Sequence, residues 1–232
     1  FSEIKNSSNP ITASQYNNAL LVASPAYKLI IKHVLKDVNM MPPSAGMAGV
    51  MTLMDSKQGV WSSPANMTIA GAASLPIRLT DSQQADLNVD AVSGKSINAI
   101  RFFNGQGILI WGARTLDGNS LDWKYISVRR TVTFIEQSCK VAMRSYIFSP
   151  NNPNTWKAVE SMIENFLVSL WKEGALQGAS AYDAFSVECG LGSTMTSEDI
   201  LNGNMIVMVK LAITRPAEFI ILRLEQQQAT SN

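Results

Sequence analysis

Two stretches decide the architecture: SVRRTVTFIEQSCKVAMRSY at residues 127–146 and PNTWKAVESMIENFLVSLWKEG at residues 153–174. In the first, Val128, Val132, Ile135, Cys139, Ala142, Met143 and Tyr146 recur three or four residues apart, which draws one apolar stripe down a helix. Ser127 is placed to cap it. The second repeats the pattern with Trp156, Val159, Ile163, Phe166, Leu167 and Leu170. Asn152 is a ready N-cap there, Pro153 suits the first helical position, and Gly174 supplies the stop. The spacing predicts two long helices that bury Val132, Ile135, Cys139, Ile163, Phe166 and Leu170 against a sheet.

The strands for that sheet lie on both sides of the helical pair. Upstream, residues 98–103 and 108–113 are strand-like and flank Asn104-Gly105-Gln106-Gly107, a hairpin turn signal. Downstream, residues 185–189 read as a short strand, and residues 205–214 are almost continuously apolar, as in a central strand covered on both faces. Residues 216–224 are a last strand-like run. Thr80-Asp81-Ser82-Gln83 reads as a capping box opening a short helix, and Thr196-Ser197-Glu198-Asp199 as the start of another. Residues 27–38 carry Leu29, Ile30, Val34 and Leu35 at helical spacing, with Lys28, Lys32 and Lys36 on another face, before Pro42-Pro43 breaks the chain. Small apolar residues then fill 44–54, with Ser44 as a plausible cap. The resulting division is a polar N-terminal remnant or loop at 1–26, one α/β domain at 27–224 with a mixed β-sheet packed against two long helices, and a polar tail at 225–232.

Several kinds of chemistry are poorly served by this sequence. His33 is the single histidine, so sites needing two histidines are excluded, and it lies in a helical pattern with no nucleophile-elbow motif anywhere. The hairpin glycines do not form a phosphate loop, because a strand follows where a helix is required. Net charge is +1 from 19 basic and 18 acidic residues, without a basic stripe, which argues against nucleic acid as a partner. Apolar runs fall short of the roughly 18 residues needed to span a bilayer. Cys139 and Cys189 lie far apart in unlike contexts and read as buried thiols. The residues thus call for no catalytic group, metal or cofactor. Charged residues are 16% of the chain, below the globular average of about 25%, which suits a surface covered by partners or a well-buried single domain.

Motifs along the chain go further. They run as MPPSAGMAGV at 41–50, GVW at 59–61, DLNV at 86–89 and GKSIN at 94–98, then WGARTL at 111–116, WKYISVRR at 123–130, MIENFL at 162–167 and RPAEFI at 215–220. Together, from about residue 27 to residue 224, they resemble the C-terminal region of contractile tail sheath proteins, the family found in phage tails and in phage-tail-like particles such as extracellular contractile injection systems. The resemblance implies a homo-oligomeric sheath of stacked rings wound around an inner tube. It also implies terminal arms that add strands to neighbouring subunits, a baseplate at one end, and contraction powered by energy stored in the lattice. The setting it implies is the bacterial cytoplasm during assembly, then a released particle. A non-contracting terminator or baseplate-proximal protein is the related alternative, and an uncharacterised hydrolase the unrelated one.

Two candidate sites follow. Glu218, Phe219, Ile220, Ile221, Leu222, Arg223 and Leu224 are too apolar as a group to hang in water. Such a strand either closes its own subunit's sheet or joins a neighbour's, and the resemblance favours exchange. The cations Arg129, Arg130, Lys140, Arg144, Lys157 and Lys172 gather on the polar faces of the two long helices, where they are candidates for contact with the tube or a second subunit, or simply solvated faces.

Overall fold

The computed structural model describes residues 2–6, 8–90 and 92–223. Contacts divide the chain into two compact units, residues 1–45 and 46–232. In the first, α1 (Ser2–Asn6) is followed by α2 (Pro10–Ala23) and α3 (Pro25–Val38). Both longer helices start the same way. Asn9 accepts from the Ile11 amide ahead of Pro10, and Ser24 accepts from the Tyr27 amide ahead of Pro25. Tyr27 Oη donates to Asn17 Oδ1 at 2.8 Å between them. The segment 1–26 reads from sequence as a polar remnant or loop, but 2–6 and 10–23 are helical. Two cap–proline starts and the run Ala19-Leu20-Leu21-Val22-Ala23 outweigh the polar composition.

Most of α4 (Ser44–Gln58), in which Ser44 is the first helical residue, belongs to the second unit. Val50 and Met54 of α4 pack with Ile110 on the hairpin of β1 (Ala99–Phe103) and β2 (Gly107–Trp111). The hairpin is antiparallel, pairing Ala99 with Trp111 and Phe103 with Gly107, and its turn needs the positive φ of Gly105 (79°) and Gly107 (87°). Before it, α5 (Asp81–Asn88) has the capping box expected of Thr80 and Gln83.

The long helices are α6 (Ile126–Met143) and α7 (Pro153–Lys172). Between and beneath them lies the main core, with Val159 and Leu167 at 0% exposure, and Ile135, Cys139, Ile163 and Leu170 around them. Asn152 caps α7 as expected, whereas α6 starts one residue before Ser127, which is buried inside the helix. Phe166 is also shifted from its expected place. The buried stripe of α7 runs Trp156, Val159, Ile163, Leu167 and Leu170. Phe166 sits half-buried at its margin, with its ring 6.2 Å from that of Phe134. Val132 is likewise half-buried.

After α8 (Ala181–Ala184), β3 (Phe185–Glu188) pairs antiparallel with β4 (Met208–Leu211), and α9 (Ser197–Leu201) lies between them in sequence. The strands thus form two small antiparallel pairs beside the helices. Residues 205–214 do not make a strand covered on both faces. Val207, Val209, Leu211 and Ile213 pack on the helical core, while Ile206, Met208 and Lys210 are exposed. The sequence is apolar on both faces, and the chain covers only one.

Candidate assembly interface

β4 is bonded along one edge. Beyond its four pairs with β3, Ala212 donates to Ala184 O, Gln177 donates to Ala212 O and Thr214 donates to Ala175 O, at 2.8, 2.8 and 3.1 Å. All of these lie on the β3 side. The amides and carbonyls of Val209, Leu211 and Ile213 point the other way, and among the described residues no strand lies along that edge. Beside the open edge runs a groove of about 330 Å³. Val209, Leu211 and Ile213 form one wall, and Trp123 with Val128 and Val132 of α6 the other. An ion pair between Arg215 and Asp122, at 3.3 Å, sits on its rim.

The last run of the chain behaves differently from the strand expected there. Residues 215–223 adopt no regular secondary structure, and Phe219, Ile220, Ile221 and Leu222 are 69–91% exposed. The reason is the open edge itself: the run neither pairs with β4 nor meets another strand of its own subunit among the described residues. Arg223 is exposed too, and Leu224 lies outside the described residues.

Glu218 is the exception within this run. Its carboxylate takes two bonds from Arg114 Nε at 3.0 and 3.1 Å, one from Arg114 Nη2 at 2.8 Å and one from Tyr125 Oη at 3.1 Å. Burial, and then the adjacent Glu218 carboxylate, push the Tyr125 hydroxyl above its ordinary value. Arg114 and Tyr125 belong to the WGARTL and WKYISVRR motifs, but nothing local in them announces a partner 104 and 93 residues away.

The six candidate cations separate into two groups. Arg130 makes a bidentate pair with Asp55 at 2.9 and 2.6 Å, Lys140 pairs with Glu136 at 2.6 Å, and Lys157 pairs with Glu160 at 2.9 Å. Among the described residues Arg129, Arg144 and Lys172 have no ion-pair partner, although Arg129 lies 5.0 Å over the Trp123 ring. Glu160 is fixed from two directions. Burial pushes its carboxyl up, but bonds from Lys157 and from the Cys189 amide outweigh this and hold it below its usual value. Burial pushes both the Cys139 and Cys189 thiols up. His33 is exposed on α3. Among the described residues no group of three His, Cys, Asp or Glu side chains could hold a metal ion, and no helix is long and apolar enough to cross a membrane.

Comparison with known proteins supplies the context. Residues 4–116 match the model of the phage tail sheath protein central domain, and residues 119–227 match that of the phage tail sheath C-terminal domain. The match to a sheath protein thus begins well upstream of residue 27. A tail sheath protein of Vibrio phage KVP40 is 27% identical over 157 residues, covering 66% of this chain and 22% of the phage protein. Among solved structures, a chain of the extracellular contractile injection system PVC sheath complex in the contracted state is 45% identical, with a TM-score of 0.77. A chain of the anti-feeding prophage baseplate is 44% identical, with a TM-score of 0.75. Each match covers 81% of this chain and 51% of the other, so the chain spans about half the length of these relatives.

Proposed function

Because this chain belongs to the phage tail sheath family, we propose that it is the part of a contractile sheath subunit that links each subunit to its neighbours around an inner tube. The role is structural and non-enzymatic, in a phage-tail-like particle assembled in the bacterial cytoplasm. Its partners are other copies of itself, the tube and the baseplate, and sheath contraction drives the tube through a target envelope.

The observation that carries the reading is the coexistence, among the described residues of one chain, of an unpaired strand edge beside an apolar groove and an unpaired apolar segment. An open edge is an aggregation hazard unless something pairs with it. An extended segment that supplies Phe219, Ile221 and their neighbours satisfies both surfaces by β-augmentation between copies. A second reading, a baseplate-proximal sheath part, draws support from the similarity to a chain of the anti-feeding prophage baseplate.

Truncation after Glu218 in the intact subunit tests the linkage, since it removes the apolar segment and keeps the Arg114 pair. The expected product folds, with an unchanged thermal melt, but forms no tubular polymer under the electron microscope. Normal sheaths from the truncated subunit would refute the proposal. Short discs in place of long tubes from the untruncated subunit would favour the baseplate reading.

A further inference from the structure

We infer that Arg114 and Tyr125 are positioning residues that clamp Glu218 and thereby fix the point, direction and register with which the 219–223 segment leaves the fold. The inference rests on the reading that this segment links subunits, and it supplies what that reading lacks.

A strand is held in register by contrast between its two faces, because a one-residue slip exchanges them. Phe219, Ile220, Ile221 and Leu222 offer little such contrast, so apolar contact alone would accept several alignments. Something else must set the alignment. Glu218 is the charged residue immediately before this run, and it is the last one in the described chain held by side-chain bonds to the fold.

The clamp is built to stay still. Asn98 grips the Arg114 backbone from both sides, its Oδ1 accepting from Arg114 N at 2.9 Å and its Nδ2 donating to Arg114 O at 2.8 Å. Gly112 permits this approach, since a Cβ there would lie 2.8 Å from Asn98 Oδ1 and 3.0 Å from Asn98 Cα. Arg114 and Tyr125 are bridge partners, flanked by Thr115 N to Lys124 O at 2.7 Å and Ile126 N to Ala113 O at 2.9 Å. The two clamp side chains therefore project from two chain segments held together by an antiparallel bridge. The guanidinium is nearly buried, and Glu218 is the acid that answers it. A bidentate pair of this kind is directional as well as attractive. A segment rooted there meets its partner partly organised, so less freedom is lost on binding.

The test places spin labels on cysteines introduced at Ile220 and Lys172, both exposed, in the 232-residue chain. The native thiols are buried and should escape labelling under folding conditions. The expected result is one narrow distance distribution, broadened severalfold by Glu218→Gln. If losing one charge unfolds the chain, the pair Arg114→Gln with Glu218→Gln leaves no buried unpaired ion and should broaden the distribution while preserving the melt. The swap Arg114→Glu with Glu218→Arg should narrow it again. A width unchanged by either Gln variant would overturn the clamp. Truncation after Glu218 judges the linking role separately: a clamped segment that sheaths do not need refutes the linkage and leaves the clamp standing.

Discussion

Leu167→Ala and Phe166→Ala distinguish two faces of α7 that differ by a single residue. Leu167 is wholly inaccessible, within the cluster of Ile135, Cys139, Val159, Ile163 and Leu170. Its truncation removes buried carbon and leaves a cavity walled by two helices that cannot easily close on it. Such Leu→Ala changes cost about 2–5 kcal/mol. Phe166 is half-buried, so its truncation should cost about half of the usual 3–5 kcal/mol for a buried Phe, or roughly 1.5–2.5 kcal/mol. The tilted pairing with Phe134 is included in that figure. All five tryptophans, at 61, 111, 123, 156 and 171, lie in the second unit, so tryptophan fluorescence in urea reports that unit's unfolding. At about 2–4 °C per kcal/mol for a unit of this size, Leu167→Ala should lower the melting temperature by roughly 4–20 °C, with the slope against urea unchanged. Phe166→Ala costing as much as Leu167→Ala, or more, would refute this orientation of the helix.

Two further outcomes follow from the charges. The Glu160 carboxyl is lowered in the folded state, so it contributes stability above the ordinary Glu value of about 4.3 and loses that contribution as pH falls through its lowered value. Urea midpoints measured across this range should therefore fall less steeply with acid in Glu160→Gln than in the parent, and parallel curves would contradict the assignment. Reversing Arg129 and Arg144 to Glu in the intact subunit should leave the melt unchanged and weaken co-assembly with tube protein; undiminished sheath-on-tube particles would remove these cations from the contact.

What could be read from sequence was whatever a few neighbouring residues settle by themselves. The capping boxes at Thr80 and Thr196, the Asn152-Pro153 start and the Gly105–Gly107 turn all stand in the structure. The α6 and α7 stripes stand in outline, but Val132 and Phe166 are half-buried and Ala142 is exposed, because six or seven apolar positions on one helix make its face too broad to orient by spacing. The helices at 2–6 and 10–23 are obscured in the sequence by the polar composition around them. The candidate cations were legible as a cluster, but partners such as Asp55 for Arg130 lie 75 residues away and divide the cluster in a manner no local pattern encodes. Glu218 is the extreme case. Its neighbours make it look like part of a strand, while its partners sit just after β2 and just before α6, more than 90 residues upstream.

The apolar run at 205–214 shows why covering both faces of a strand was the right physical demand and the wrong location for the cover. Alternate residues of β4 do pack on the helical core, and the others, with the free edge, face outward. A sequence records that a surface needs burying; it does not record whether the same chain does the burying. Segment 219–222 carries the same ambiguity. The two surfaces are different in kind, a strand edge with a groove and an extended apolar segment, so each complements the other better than it complements itself. A contact between them is heterologous, and such contacts close into rings or propagate as helices. A ring-stacked helical sheath uses both outcomes, which is why a donor and an acceptor on one chain fit that architecture better than any symmetric dimer.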